Sequence, residues 1–328
     1  MHIDMHAHII PRDCFDKDES KTKWPIVVVD GSGTEMIQDN RRKGMAVDVA
    51  QMCDPEARIK TMADSDIDMQ VLSAPPSLMY YDIDIESSLA FARKMNDNIA
   101  NIVRCYPKYF QGMASVPLQD PKIAADELDR AINELGLKGV EILSNINGMQ
   151  LDWSELAPFF GKVEKLGVPI FIHPYNVAGL DRMKKYYLAN FVGNPVDTAL
   201  AAAHLIFGGV LDRYPGLKIC LSHAGGILPY IIGRWDHGYN VRPEAKMEIH
   251  RLPSSYLQSF YFDTITHSTT ALEYLIASMG ADRVILGTDY PFDMADEYPV
   301  KSVSKVTELS KEDRSLILGG NVMALLGL

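Results

Sequence analysis

Two histidines lie close together near the start of the chain, where one residue separates His6 from His8 in the run "MHIDMHAHII". Side chains at positions i and i+2 of an extended strand point the same way, so both imidazoles could bind a single metal ion. Taken alone, the H-x-H pair is equally consistent with two surface histidines near a terminus. The residues that end the other predicted strands therefore decide between the two interpretations.

Three later β-rich runs also end in a group that can bind metal or move a proton. His173 ends "VPIFIH", His223 ends "LKICLSH" and Asp289 ends "RVILGTD". If these runs are parallel strands of one barrel, their carboxyl ends share a rim, and the side chains meet with His6 and His8 in one pocket.

Each of the later residues has a structural alternative. His173 could be a buried core histidine, His223 could cap the next helix, and Asp289 could be a helix N-cap. With three histidines at one rim, metal ligation or proton relay is the better interpretation for Asp289. Three imidazoles and a carboxylate suit Zn²⁺, Co²⁺, Mn²⁺ or Fe²⁺, and zinc is the default. His223 would then be free to act as general acid or base, and Asp4 is expected to point with His6 as a supporting residue.

The order of predicted elements favours an α/β fold, a TIM-like (β/α)8 barrel, because eight β-rich runs alternate with amphipathic helical patterns. The predicted strands cover residues 2–8, 68–74, 110–118, 137–144, 168–173, 217–223, 259–264 and 283–289. We expect a single barrel domain over residues 1–328 with an insertion at 9–56 and a second, shorter one at 174–198. Both insertions follow the carboxyl end of a strand and would cover the face that carries barrel active sites.

The composition and the net charge of the chain limit the classes of protein to which it can belong. The chain has 328 residues, of which 47% are hydrophobic and 23% are charged, a mixture typical of a folded core. The net charge of −11 argues against a nucleic-acid partner, because phosphate binding needs clustered lysines and arginines. The four cysteines lack disulfide or zinc spacing, and no signal peptide or apolar span is evident. We therefore expect a cytoplasmic protein without a membrane segment.

An ordered set of motifs resembles the amidohydrolase superfamily (amidohydrolase-related family 2), in the branch that includes aminocarboxymuconate semialdehyde decarboxylase. The motifs cover nearly the whole chain: "HIDMHAHIIPR", "CDPEARIKTMADSDIDMQVLSAPP", "IFIHPYN", "RMKKYY", "LKICLSHAGG", "IIGRWD" and "MGADRVILGTDYPF". The resemblance implies that His6, His8, His173 and Asp289 hold one divalent metal, with His223 as the catalytic histidine beside it. The family has no carbamylated lysine, and no lysine ends the fourth predicted strand.

The resemblance also implies how a substrate would be bound. In relatives that decarboxylate, arginines bind the carboxylates of a planar unsaturated or aromatic acid. Arg234 in "IIGRWD" matches one such arginine, which in the family reaches into the neighbouring subunit's site, so a homodimer or higher oligomer is expected; a surface ion pair is the alternative. The second family arginine falls at Ala46 here, and Arg41 or Arg42 could replace it from a shifted loop. Tyr186 of "RMKKYY" is a further candidate for substrate binding.

Three functions are compatible with these residues. The leading hypothesis is a nonoxidative decarboxylase of a small carboxylic acid, in which the metal activates a ring or diene and His223 assists protonation of the carbon as CO₂ leaves. The alternative is a metal-dependent hydrolase of an amide, a lactone or a C–C bond, with His223 moving the proton. The third is a metal-binding protein without turnover, which has no need of a free histidine beside its ion.

Overall fold

The computed structural model describes residues 1–15, 24–29, 35–39, 42–45 and 48–328. Within these residues the chain forms eleven strands, which divide into a barrel and a small separate sheet. The strands are β1 (Ile3–His8), β2 (Ile26–Val29), β3 (Glu35–Asp39), β4 (Arg42–Met45), β5 (Met69–Ser73), β6 (Phe110–Ala114), β7 (Gly139–Leu143), β8 (Ile170–His173), β9 (Ile219–Leu221), β10 (Phe260–Asp263) and β11 (Val284–Ile285).

Eight parallel strands form the barrel, in the order β1-β5-β6-β7-β8-β9-β10-β11. The first and last of them close the barrel through backbone hydrogen bonds rather than a regular ladder. The N–H of Met5 donates to the carbonyl of Leu286 at 2.9 Å, and the N–H of Asp289 donates to the carbonyl of His6 at 2.8 Å. Closure therefore brings the two ends of the strand order together at the rim where His6 and Asp289 lie.

Helices cover the outside of the barrel. They are α1 (Val49–Cys53), α2 (Pro55–Asp64), α3 (Ile85–Cys105), α4 (Pro121–Asn133), α5 (Ala157–Leu166), α6 (Asn194–Phe207), α7 (Val210–Arg213), α8 (Leu228–Val241), α9 (Thr269–Met279), α10 (Pro299–Ser304), α11 (Lys311–Ser315) and α12 (Asn321–Leu326). Asp84 and Asp120 cap α3 and α4 by accepting backbone N–H groups, as the sequence pattern before each helix requires. Each helix between two barrel strands lets the next strand run parallel to the last.

Apolar side chains fill the barrel interior below its rim. They belong to one cluster: Ile3, Met5, Met69, Val71, Met113, Phe171, Cys220 and Ile285. This end of the barrel is therefore packed core, as in other barrels of this architecture. Among the described residues, no helix is both long and apolar enough to span a lipid bilayer.

The predicted (β/α)8 barrel is confirmed, and all eight predicted strands overlap a barrel strand. The predicted strands are longer than the observed ones, most of all where regular pairing stops at Ala114 in β6, at Leu221 in β9 and at Ile285 in β11. Residues 286–289 still approach β1, but through the isolated bonds of the closure and not as a ladder. Within the first insertion, β2, β3 and β4 form an antiparallel sheet.

Candidate active site

Four buried side chains bring their ligand atoms together at the carboxyl rim of the barrel. His6, His8, His173 and Asp289 each offer one atom, and these atoms all lie within 4.8 Å of one another. Oδ1 of Asp289 lies 3.3 Å from Nε2 of His6, 3.2 Å from Nε2 of His8 and 3.8 Å from Nε2 of His173. The structure thus brings together the four residues predicted to bind metal.

A bulge in β1 turns the two histidines of the first strand toward the barrel axis. The pairing of β1 with β5 shifts register between Asp4 and Ala7. Met5 belongs to the interior cluster, yet the His6 ring also faces inward, with its centroid 4.7 Å from that of Phe171. Such a bulge re-aims side chains, which two adjacent inward residues require.

The bulge also corrects the expected orientation of Asp4. A regular strand would place Asp4 beside His6, but the Asp4 carboxylate points to the opposite face of the sheet, where it accepts hydrogen bonds from Gln70 and Thr288. It accepts the backbone N–H of His6 as well, at 3.0 Å. Asp4 therefore supports the backbone of the site from behind, and burial raises its pKa to about 6.

Each of the three histidines has its Nδ1 atom held by a protein oxygen, which leaves Nε2 directed at the shared centre. The partners are Oδ2 of Asp263 for His6 at 2.8 Å, the carbonyl of Ala74 for His8 at 3.2 Å, and the carbonyl of Pro174 for His173 at 3.0 Å. With Nδ1 as the donor, Nε2 carries the lone pair that a metal ion needs. Such partners orient ligands at metal sites generally.

Unpaired atoms at the centre fit a divalent metal ion. Nε2 of His173 and Oδ1 of Asp289 are buried and have no hydrogen-bond partner among the described residues. Burial lowers the pKa of His173 to about 3, so its imidazole is neutral. Burial alone would raise the pKa of Asp289, but the neighbouring His6, His173 and His223 hold it well below the usual range. A neutral nitrogen and an ionised oxygen are ligands that divalent cations bind.

His223 lies beside this group without belonging to it. Its Nε2 is 3.3 Å from Oδ2 of Asp289. The imidazoles of His6, His8 and His173 lie near the other oxygen of that carboxylate, Oδ1. Its Nδ1 is buried and has no hydrogen-bond partner among the described residues. The ring therefore lies beside the Asp289 carboxylate and keeps Nδ1 unpaired, and its role in proton transfer stays a prediction.

The turn that carries His223 depends on glycine. His223, Ala224, Gly225 and Gly226 all have positive φ, from 53° to 73°. A Cβ at Gly226 would lie 2.0 Å from the carbonyl oxygen of Pro195, which excludes any side chain there. The "SHAGG" sequence is thus needed to bring the histidine back over the rim.

An apolar cavity of 410 Å³ opens onto the metal-binding residues His173 and Asp289. Its walls include the rings of Tyr187 and Phe292 and the side chain of Leu180. Tyr187 donates its hydroxyl to Asp293 at 3.2 Å, which joins the loop after β8 to the loop after β11 at the cavity wall. No lysine or arginine of the described chain lines this cavity.

The residues predicted to bind substrate do not line the cavity of the single chain. Arg234 is exposed on α8, and the Tyr186 side chain is 80% exposed, whereas its neighbour Tyr187 lines the cavity. Arg42 begins β4, and Arg41 lies outside the described residues, as does Ala46. The roles of these residues in binding substrate stay predictions.

Two acidic residues of the site were not among the predicted site residues. Asp263 ends β10 and accepts hydrogen bonds both from the His6 ring and from the backbone N–H of His223 at 2.9 Å. Glu141 is buried in β7, 3.9 Å from Nδ1 of His8, and burial raises its pKa. The signal for Asp263 was its position at the end of the seventh predicted strand, the same position that identified His173 and Asp289.

Comparisons with known proteins place the chain in a family. The family model described as Amidohydrolase matches residues 3–328, and the chain belongs to this family. The resemblance read from the motifs is thereby confirmed. The matched residues include all eight barrel strands and the four side chains that meet at the carboxyl rim.

Relatives along most of the chain are decarboxylases. The chain is 38% identical to 2-amino-3-carboxymuconate-6-semialdehyde decarboxylase of Dictyostelium discoideum, covering 99% of this chain and 91% of the relative. It is 32% identical to a gamma-resorcylate decarboxylase of a Polaromonas species, covering 82% of this chain and 86% of the relative. A crystal structure of dihydroxybenzoic acid decarboxylase from Polaromonas, with bound manganese and the inhibitor 2-nitroresorcinol, superposes with a TM-score of 0.82 at 27% identity, covering 100% and 97% of the two chains.

Proposed function

We propose that this chain is a metal-dependent nonoxidative decarboxylase, a carboxy-lyase that acts on a planar unsaturated or aromatic carboxylic acid. The observation that carries the proposal is the convergence of four buried ligand atoms, with the ring of His223 beside them, under an apolar cavity. The relatives described above are decarboxylases of unsaturated or aromatic acids, and they match along most of the chain. The enzyme therefore belongs to the lyase class.

The cavity suits a flat, small substrate. Its volume of 410 Å³ falls within the range of about 300 to 1,000 Å³ that is common for small-molecule sites. Phe292 and Tyr187 offer aromatic faces to a ring, and Leu180 adds aliphatic surface. Because the described lining contains no lysine or arginine, we propose that the substrate carboxylate is neutralised at the metal-binding residues, by Arg41 or Arg42, or by a residue of another chain.

His223 moves the proton in this proposal. When bound, a divalent ion supplies a Lewis acid that polarises an oxygen of the substrate. His223 delivers a proton to the carbon that bears the carboxylate, the bond between that carbon and the carboxylate breaks, and CO₂ leaves. The product carries hydrogen in place of the carboxylate, so the reaction uses no oxidant or organic cofactor. The backbone bond from His223 to Asp263 fixes the start of the turn that holds the ring.

Zinc is the ion that we propose for the native enzyme, because three imidazoles and one carboxylate are common zinc ligands. Manganese, cobalt and iron accept the same ligand set. The structural relative from Polaromonas holds manganese, which makes manganese the first alternative. Metal analysis of the chain purified without added metal decides between them.

In a homodimer, Arg234 of one subunit would reach the cavity of the other and supply the cation that the described cavity lining lacks. Arg234 shares an exposed face of α8 with Tyr230 and Val241, whose side chains are 83% and 59% exposed. Phe191 is also exposed, and the start of α6 that follows it contacts the start of α8 through the bond from Ile227 N–H to the Pro195 carbonyl. Apolar surface around a cation is the composition expected where a second copy docks and donates that cation.

We further propose that residues 1–328 act as one catalytic domain and that the enzyme is cytoplasmic. The small sheet of β2, β3 and β4 would then be an insertion in the barrel domain. The four cysteines are free thiols, and reduced thiols are typical of cytoplasmic proteins. Activity of the chain expressed alone, and its fractionation in a host cell, test the two statements.

The activity is tested by a screen for CO₂ release from carboxylated phenols, muconates and small lactones. We expect one or more planar acids to release CO₂ and to yield the product with hydrogen at the former carboxyl position. In D₂O that position should carry one deuterium, because the proton comes from a group that exchanges with solvent. Hydrolysis of a lactone without any release of CO₂ would contradict the proposal and indicate the hydrolase alternative.

A further inference from the structure

One arginine is completely buried behind the metal-binding residues. Arg58 of α2 has no exposed surface, and its guanidinium lies between the helix layer and the barrel. Nη2 donates to the carbonyl oxygen of His8 and, at 3.1 Å, to that of Gln51. The guanidinium also stacks over the ring of Tyr290, 4.7 Å from its centroid. Arg58 thus touches the residue that binds metal at the end of β1 and the residue that follows Asp289.

A second set of hydrogen bonds connects Arg58 to Asp4 through Gln70. Nη1 of Arg58 donates to Oε1 of Gln70 at 3.1 Å, and Nε2 of Gln70 donates to Oδ2 of Asp4 at 2.9 Å. The Asp4 carboxylate accepts the backbone N–H groups of His6 at 3.0 Å and of Thr288 at 3.1 Å. The amide of Gln70 therefore links a buried cation to a buried anion.

The linked residues hold the backbone beside three of the four metal-binding residues. Arg58 fixes the carbonyl of His8, and Asp4 fixes the N–H of His6 and of Thr288, which precedes Asp289. At the seam, the chain after β11 meets β1 through separate backbone hydrogen bonds rather than a continuous ladder, so the bonds from Arg58 and Asp4 add to the contacts that fix the backbone there. A buried charge is costly to desolvate, and it is retained where its hydrogen bonds fix a geometry.

We infer that Arg58 is a positioning residue for the metal site, acting through the His8 carbonyl and through Gln70 and Asp4. The inference rests on the metal site of the proposed function and goes beyond it, since Arg58 contacts neither the ion's place nor the cavity. Residues that orient metal ligands typically contribute about 10- to 100-fold to metal affinity. Removing the guanidinium should therefore weaken metal binding at a distance.

The experiment measures Co²⁺ binding, because Co²⁺ reports both affinity and ligand geometry through its visible absorption bands. Three variants are compared with the wild type by competition with a chelator: Arg58→Met, Arg58→Lys and Gln70→Met. We expect Arg58→Met to lower Co²⁺ affinity by about 10- to 100-fold and to shift the absorption bands. Arg58→Lys should recover part of the loss, since an ammonium keeps the charge but cannot form the same fork.

Gln70→Met keeps the test decisive if Arg58→Met fails to fold, because it breaks only the bridging amide. It should lower Co²⁺ affinity and shift the bands in the same direction. The matched control is Arg130→Met, which removes an arginine of α4 paired with Glu127 and Asp97. Arg130→Met should lower the melting temperature and leave the Co²⁺ affinity and spectrum unchanged. If Arg58 had only a structural role, Arg58→Met would give this same result.

Wild-type Co²⁺ affinity and spectrum in folded Gln70→Met, or in folded Arg58→Met, would overturn the inference. Failure of the wild-type chain to bind Co²⁺ would instead contradict the metal site itself. The two failures are therefore distinguished by the wild-type measurement alone.

Discussion

Asp263 and His6 form a hydrogen bond of 2.8 Å between Oδ2 and Nδ1, and both side chains are completely buried. The same carboxylate oxygen accepts the backbone N–H of His223 at 2.9 Å. One acidic side chain at the end of β10 therefore contacts both the ring of His6 and the backbone of His223, the residue to which we assign the proton transfer. This shared contact couples the metal site to the proposed proton-transfer step.

Asp263→Asn should weaken metal binding by about 10- to 100-fold, because an amide nitrogen in place of Oδ2 cannot accept both N–H groups. Chelator competition with the purified variant gives the affinity. The matched control is Asp152→Asn, which alters the pair of Asp152 with His204, 3.0 Å apart and outside the site. Equal metal affinity in Asp263→Asn and Asp152→Asn would show that Asp263 does not orient His6.

The chain should hold close to one divalent ion, and removing that ion should lower its thermal stability. A ligand that binds only the folded state stabilises it by about 2.7 kcal/mol at one hundred times its dissociation constant. Elemental analysis gives the stoichiometry, and calorimetry with and without a chelator gives the change in melting temperature. A content far below one equivalent, together with no thermal shift on adding metal, would argue against the site.

His223→Ala should reduce turnover by about 10²-fold or more while metal content stays at the wild-type level. The reason is that His223 lies beside Asp289 but outside the four ligand atoms. Steady-state rates and metal analysis on the same preparation separate the two effects. His237→Ala, on the exposed face of α8, serves as the control. Loss of metal along with activity would reassign His223 to metal binding.

Arg234→Ala should weaken acid binding by tens-fold or more, since losing a charge-assisted partner of a carboxylate costs roughly 2 to 5 kcal/mol. Mixing inactive Arg234→Ala with inactive His223→Ala tests whether the arginine acts in trans. In a mixed dimer one site then lacks both residues and the other keeps both, so activity should return. Confirmed subunit exchange without recovered activity would rule out donation across the interface.

Gly226→Ala should destabilise the fold by about 3 kcal/mol or more. The new Cβ would clash with the carbonyl oxygen of Pro195, and the positive φ of this residue is unfavourable for alanine. Gly136→Ala is the matched control, since Gly136 has a φ of +78° but a Cβ added there would have no atom within 4 Å. We expect the control to lose only about 1 to 2 kcal/mol. Denaturant unfolding of both variants measures the difference, and equal losses would show that the Pro195 contact relaxes freely.

The barrel and the meeting of four side chains at its rim were predictable because each signal lies within a short run of sequence. His173 and Asp289 end strands whose apolar residues identify them, and the barrel geometry then places strand ends at one rim. The lyase class followed from motifs along the chain, and the relatives agree with it.

Residues whose role depends on what lies opposite them were not predictable in this way. Arg58 belongs to a short amphipathic helix and looks like an ordinary surface arginine, because nothing nearby in sequence reveals the carbonyl of His8 against it. The orientation of Asp4 was predicted wrongly because a bulge is set by pairing with β5 and not by the residues of β1 alone. Tyr186 and Tyr187 both have positive φ, so alternation could not tell which of them faces the cavity.

The seam between β1 and β11 has a consequence for synthesis of the protein. His6 and His8 leave the ribosome with the first barrel strand, and Asp289 follows only after all eight barrel strands have been made. Contacts this distant in sequence form late, because closing so long a loop costs conformational entropy before the contacts that stabilise it have formed. The nascent chain therefore cannot bring all four side chains together until Asp289 has been made and the barrel has closed.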